Sequence, residues 1–300
     1  MTVNDMNKTS ILSAPVMALA SVAVATFSAC TPSAAPAPAS PTGADPAQDS
    51  VAPVASVASG DAEEHHYFHR EEKGHKADWG YGEADGPAMW ASLDPSYALA
   101  REGRSQSPID LSSAAAEGGV PFAVDYAMSK INLVYNGHTV EEMEDKGSFL
   151  TVGNQRYELA QFHFHAPSEH TVDGKHAAME MHLVHKNEAG DVAVLGVLIE
   201  EGDVDNPAFA DVWRYLPSDE MRATTSEMKI QPTAMLPADR SAYEYEGSFT
   251  TPPCTEGVKW IVLRTPALLS SNQIDAFRAI ISGNNRPTQP LHGREVVLTR

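Results

Sequence analysis

From Trp79 onward the chain is interrupted every few residues by Gly, Pro, Asn or Asp. The intervals are short alternating or apolar runs such as "INLVY", "SFLTV", "QFHFH", "MEMHLVHK", "VAVLGVLIE" and "KWIVLR". Turn residues at that spacing leave no room for long helices, while β-branched and aromatic residues suit a pleated, half-buried surface. The expectation is a mainly β (α+β) single domain, with short helices around "NPAFADVWRYL" and "SSNQIDAFRAII". No internal repeat and no Gly-rich phosphate loop is found.

Within this rhythm, "QFHFHAPSEH" at residues 161–170 places two histidines two residues apart between phenylalanines. Successive strand side chains point to opposite faces, so Gln161, His163 and His165 share one face and Phe162 and Phe164 the other. In "MEMHLVH" the same rule sets Glu180, His182 and Val184 against Met181, Leu183 and His185. If the two strands are neighbours, His163, His165 and His182 come together. Three neutral imidazoles with one open position make a catalytic zinc site, whereas structural zinc prefers four ligands rich in cysteine. Gln161 and Glu180 then stand where a ligating imidazole needs an acceptor for its other N–H. The pattern by itself fits buried or surface strand histidines equally well.

The chain has 300 residues and is 42% hydrophobic, enough for a sizeable core, but its opening section does not look globular. A polar start, an apolar run over 11–27 and "SAC" at 28–30 have the layout of a signal peptide over residues 1–29. The run is short for a membrane span, which needs about 20 apolar residues, and it contains Pro15. Residues 30–60 are mostly Ala, Pro, Ser and Val, too poor in large apolar groups to repay ordering, and read as a tether. The globular domain is assigned to 61–300. His65, His66, His69 and His75 at its start lack an apolar frame to orient them for a metal. Lys and Arg number 21 against 40 Asp and Glu, a formal net charge of −19 that disfavours nucleic acid and anionic lipid.

Phe27-Ser28-Ala29-Cys30 resembles the lipobox of bacterial lipoproteins, with Cys30 the lipidated N-terminus. Thr31, where an Asp is absent, resembles the sorting preference for the outer membrane. This resemblance implies a lipid-tethered protein of a Gram-negative periplasm or cell surface, touching the membrane through its N-terminal lipid only.

Taken in order, "WGYG", "QSPIDL", "NGH", "QFHFHAPSEH", "AMEMHLVHKN", "AVLGV", "GSFTTPPCTEGVKWIV" and "NNRPTQPLHGR" are similar to the motifs of alpha-class carbonic anhydrases, over roughly residues 79–298. The resemblance implies a large, twisted, mostly antiparallel sheet with short surface helices and zinc at the base of a conical cavity. It also implies reversible hydration of carbon dioxide to bicarbonate and a proton, by attack of a zinc-bound hydroxide. His163, His165 and His182 become the zinc ligands. Thr250 becomes a gatekeeper hydroxyl donating to a buried Glu169, and Thr251 with the Thr250 N–H meets bicarbonate, anions or sulfonamide inhibitors. Carbon dioxide is small and apolar, so Val184, Val194, Phe249, Val258 and Trp260 form its wall. His138 is the proton shuttle, since imidazole titrates near neutrality, with Tyr81 and Asn136 ordering the intervening water.

Three departures from the family pattern stand out. Phe249 replaces the commoner Leu, implying a narrower pocket mouth, and Glu141 stands where the best-known members have Asn. Arg101 occupies the place where many secreted members carry a cysteine joined to the cysteine of "TPPC". Cys254 is therefore expected to have no disulfide partner in the domain, since the only other cysteine is Cys30.

Overall fold

The computed structural model describes residues 78–111 and 116–299. The expected leader over 1–29, Cys30, the tether over 30–60 and the histidines between 61 and 77 lie outside the described residues. Fourteen strands are described, the first half being β1 (Ala116–Glu117), β2 (Phe122–Asp125), β3 (Ser129–Tyr135), β4 (Val140–Met143), β5 (Phe149–Val152), β6 (Gln155–His165) and β7 (Thr171–Val172). They continue with β8 (Lys175–His176), β9 (Met179–Lys186), β10 (Val192–Gly202), β11 (Ala223–Ile230), β12 (Ala242–Ser248), β13 (Glu256–Ser270) and β14 (Val297–Thr299). The helices are as short as the turn spacing demands: α1 (Trp90–Leu93), α2 (Leu99–Glu102), α3 (Ala210–Arg214) and α4 (Ser271–Arg278).

Strands β7 and β8 form a hairpin, and the other twelve form one sheet. Its path runs β1-β14-β12-β13-β10-β9-β6-β4-β3-β11, with β5 joining β6 to β2. Among the described strand pairs of this sheet, β1–β14 and β10–β13 are parallel and the rest antiparallel. The near-continuous apolar run "AVLGVLI" of β10 is buried on both faces because it sits in the middle of that path.

One face of the sheet is closed by α3 and α4. The α4 helix starts in a capping box in which Ser270 and Gln273 satisfy each other's backbone N–H groups. Trp213 then ties α3 to α4 by donating from Nε1 to the Gln273 carbonyl at 2.7 Å. Beneath these helices Phe164 packs edge-on against Trp213 and Phe277, with ring centroids 5.2 and 5.7 Å apart. On the opposite face a second apolar cluster gathers Ile109, Leu111, Val184, Val194, Val258 and Trp260.

The histidines reach that second face through an irregularity. Along β6, Leu159 pairs with His185 but Gln161 pairs with Val184, so Ala160 is an extra residue against β9. Such a bulge reverses which face the following side chains take. Leu159 and Tyr157 thus join the core with Phe162, while Gln161, His163 and His165 point the other way.

The core face also buries charge-bearing groups. Glu142 lies opposite Phe162 and Leu133 and is wholly buried, with Oε1 accepting from the Asn132 N–H at 2.8 Å. Burial pushes Glu142 up to about 9 and Glu144 to about 8, from an ordinary 4.5. Both stay protonated in the fold at pH values where the unfolded chain has ionised. Their favourable contribution is therefore complete below the ordinary carboxylate range and is lost as pH rises through about 8–9. Thermal melts should accordingly show the midpoint falling by several degrees between pH 6 and 9.5. Glu142→Gln, which keeps the acceptor for Asn132, should flatten that slope; an unchanged slope would show that Glu142 is ionised in the fold.

Candidate metal centre

Strand pairing decides the centre. His163 on β6 lies directly opposite His182 on β9, and His165 opposite Glu180. The three imidazole rings have centroids 5.0, 5.2 and 4.7 Å apart, and one nitrogen from each lies within 4.8 Å of the others. Strand alternation thus brings together all three histidines expected from the sequence.

Each ring has one nitrogen committed to a protein acceptor. His163 Nδ1 meets Gln161 Oε1 at 2.8 Å, and His165 Nδ1 meets the Asn284 carbonyl at 2.6 Å. His182 Nε2 lies 2.9 Å from Glu180 Oε1. The nitrogens chemistry assigns to a common ion are therefore Nε2 of His163 and His165 and Nδ1 of His182. His165 Nε2 is buried and has no hydrogen-bond partner, a costly state for a polar atom unless it is a ligand. Burial also lowers His165 to about 4 and lowers His182, so both rings are neutral at neutral pH, as metal ligation requires. Imidazoles without cysteine fit a catalytic zinc.

Glu180 organises the layer behind the three histidines. Its Oε2 accepts the backbone N–H groups of Glu169 and His170, each at 2.9 Å, and its Oε1 meets His170 Nδ1 at 2.7 Å. Burial alone would raise this carboxyl, but His170 and His182 hold it well below the ordinary range, as an anion. Gly196 on β10 makes the room, since a Cβ there would stand 3.1 Å from Glu180 Oε1. His170, Glu180 and His182 also lie close enough to hold an ion, but their facing atoms are already spent on one another. His170 Nε2 continues to the Tyr245 hydroxyl at 2.7 Å, and Tyr245 donates to Ser107 Oγ at 2.8 Å.

Glu169 is fully buried beside the three histidines. Its Oε1 accepts the Arg286 N–H at 2.7 Å, while its Oε2 stands 3.5 Å from His165 Nε2 and 3.9 Å from His182 Nδ1. Burial pushes its carboxyl up to about 7, against the pull of His182, the Arg286 N–H and the Thr250 hydroxyl. Thr250 is buried in the loop between β12 and β13. Two backbone bonds set that loop, Phe249 N–H to the Thr255 carbonyl at 3.0 Å and Cys254 N–H to the Thr251 carbonyl at 2.9 Å. Cys254 is buried with a free thiol, which burial pushes up to about 11. Thr251 is half-buried beside Thr250.

Val184, Val194, Val258 and Trp260 are buried together, with Phe249 partly buried against them. Trp260 stacks edge-on to His182 at 4.9 Å, which sets this apolar wall beside the histidines. Farther out, the His138 ring lies flat on Trp79, with centroids 3.7 Å apart and planes 12° apart, and its Nε2 meets the Trp79 carbonyl at 2.8 Å. Asn136 caps the same turn by accepting the His138 and Thr139 N–H groups at 3.0 and 2.9 Å. It also donates to Glu141 Oε2 at 3.1 Å. Glu141 lies opposite His163, and burial raises it to about 7. The Tyr81 hydroxyl is buried without a hydrogen-bond partner.

Sequence reasoning assigned no role to Asn284, His170 or Gly196. Each lies inside a motif quoted above, but none shares the period that marks the ligands.

A family model described as eukaryotic-type carbonic anhydrase matches residues 85–300. A carbonic anhydrase of Klebsiella pneumoniae is 40% identical over 222 residues, spanning 73% of this chain and 90% of its own. Among solved structures, alpha-carbonic anhydrase from Thermovibrio ammonificans in complex with sulfanilamide is 42% identical with a TM-score of 0.71, covering 74% of this chain and 99% of that one. Carbonic anhydrase Cah3 from Chlamydomonas reinhardtii, in complex with acetazolamide, is 36% identical with a TM-score of 0.65, covering 74% and 99%. Sheet order, histidine geometry and these similarities converge: the chain belongs to the alpha-class carbonic anhydrases.

Proposed function

We propose that His163, His165 and His182 hold a zinc ion and that the chain hydrates carbon dioxide reversibly, with Thr250 and Glu169 orienting the nucleophile and His138 removing the proton. The observation that carries this reading is the convergence of three imidazoles, each with its second nitrogen fixed by a protein acceptor, beside a buried Glu169. Zinc in such a donor set supplies a water acidified toward neutral pH, the chemistry for which this family is the standard case.

The chain's own residues do the rest. A divalent cation held by the three neutral histidines would favour the Glu169 anion. That anion accepts a hydrogen bond from the Thr250 hydroxyl, so Thr250 Oγ1 keeps its proton, faces the centre as an acceptor and fixes where the nucleophile's lone pair points. The wall of Val184, Val194, Val258 and Trp260 offers carbon dioxide apolar contact and no hydrogen bond to hold it back. The Thr250 N–H and Thr251 receive the oxygen that becomes anionic, and the same groups suit inhibiting anions and sulfonamides, the class bound by the two solved relatives. At His138 the Trp79 carbonyl can only accept, so Nε2 keeps its hydrogen and the travelling proton enters and leaves at Nδ1. Ordering of water between His138 and the centre is assigned to Asn136 and Tyr81, a reading that the buried, unpartnered Tyr81 hydroxyl supports.

The leader and its Phe27-Ser28-Ala29-Cys30 sequence support a lipid-tethered location in a Gram-negative periplasm or at the cell surface. Labelled palmitate should enter the wild-type chain and not Cys30→Ala; equal labelling ends this reading.

Stopped-flow hydration assays should show sulfonamide-sensitive activity. Thr250→Ala should keep stoichiometric zinc yet lose about a hundredfold in rate, whereas His182→Ala should lose the metal as well. Zinc and rate falling together in Thr250→Ala would make Thr250 a structural residue.

His138→Ala should slow turnover by about tenfold in dilute buffer and recover in concentrated imidazole, which carries the proton in its place. A loss that is equal at every buffer concentration would mean that His138 packs the cavity mouth.

A further inference from the structure

Thr250 and Glu169 come from different loops, and Cys254 next to them is a free thiol, so no disulfide fixes their separation. What joins them is Gln106, which is only 3% exposed. Its Nε2 donates to the Cys254 carbonyl at 3.0 Å, at the end of the Thr250 loop, and to Glu256 Oε1 at 3.1 Å. Its Oε1 accepts from Arg286 Nη1 at 2.8 Å, and Arg286 is the residue whose backbone N–H holds Glu169 Oε1. One side chain thus touches the threonine loop through Cys254 and the glutamate through Arg286. Glu256 sits at the first residue of β13 and also accepts the Ser105 N–H at 2.6 Å, closing the bracket on the segment that carries Gln106.

The space around this bracket is full. A Cβ on Gly103 would fall 2.4 Å from Gln106 Nε2, 2.5 Å from Glu256 Oε1 and 2.7 Å from the Leu99 carbonyl. The Gly103 backbone has φ −63°, a value any residue adopts. Gly103 is therefore glycine for room and not for its dihedral angle.

We propose that Gln106 and Glu256 are positioning residues for the reaction, a polar bracket that sets the spacing between the Thr250 hydroxyl and Glu169 where a covalent link is absent. The proposal rests on the reading of Thr250 and Glu169 given above. A hydrogen-bonded pair displaced by a fraction of an ångström loses direction before it loses contact, and misplacement of about 1 Å costs on the order of a hundredfold in rate. Opening the bracket at Glu256 would leave the three histidines in place: Gln161 on β6 and Glu180 on β9 hold His163 and His182, and Asn284, which holds His165, has its own bonds to the His138 and Phe164 carbonyls.

Three variants test it. Glu256→Ala deletes the acceptor, Gly103→Ala wedges the bracket without removing any of its polar atoms, and Glu256→Gln keeps an oxygen for Ser105 and Gln106. The first two should retain stoichiometric zinc, lose about tenfold in kcat/KM for hydration, and show faster hydrogen exchange at the Cys254 and Phe249 amides. Glu256→Gln should stay within about twofold of wild type on every measure. A lower melting temperature with unchanged kcat/KM and amide exchange in Glu256→Ala and Gly103→Ala would reduce the bracket to a structural brace and overturn the proposal. Loss of zinc would overturn it as well, by showing that the bracket supports the ligands. Should wild-type protein prove inactive, the proposed function fails separately, and amide exchange in the same variants still decides whether the bracket holds the loop.

Discussion

A single buried carboxylate, Glu180, connects the parts of this molecule that have to stay in register. Ionised and fully enclosed, it would be prohibitive without partners, since an uncompensated charge in a low-dielectric interior is neutralised or expelled. Four contacts compensate it: two backbone N–H groups, His170 and His182. Those contacts are also the architecture, because the two N–H groups belong to the loop that presents Glu169, and His182 is one of the three converging histidines. Displacing Glu180 would loosen the Glu169 loop and His182 together.

The sheet makes such a carboxylate tolerable. β9 and β10 lie in its middle, and the glycine opposite His182 on β10 leaves the volume the carboxylate fills. The bulge at Ala160 then sets Leu159 and Tyr157 on the face of Phe162 and Phe164, opposite the histidines. A regular strand would have kept Leu159 and His163 on one side and mixed the core with the centre. The three histidines are thus carried on paired strands, while Thr250, Glu169, His138 and Asn284 come from loops.

Rigid placement coexists with local cost elsewhere. Glu142 and Glu144 occupy the core face with their charge suppressed by burial, and neither serves the histidines on the other side of the sheet. Their presence makes stability sensitive to alkali at a distance from the chemistry. The acidic surface, with a formal net charge of −19, adds self-repulsion of the same sense as pH rises.

By itself the sequence determined everything that a local period can encode. Alternation put His163 and His165 with Gln161, and His182 with Glu180, on single faces, and turn residues at short intervals limited the helices to pieces such as α4. The family motifs then supplied the roles proposed for Thr250, Glu169 and His138, and composition marked the first 60 residues as unlike a packed domain. Only the tertiary structure decided what depends on pairing between distant segments: the Asn284 carbonyl that orients His165 from 119 positions away, the room at Gly196, the bulge at Ala160, the stacking of His138 on Trp79, and the bracket of Gln106 and Glu256. The physical reason is that a period of two fixes the face a side chain takes, while the neighbour it meets there is set by strand register and loop closure, which no short stretch of chain contains.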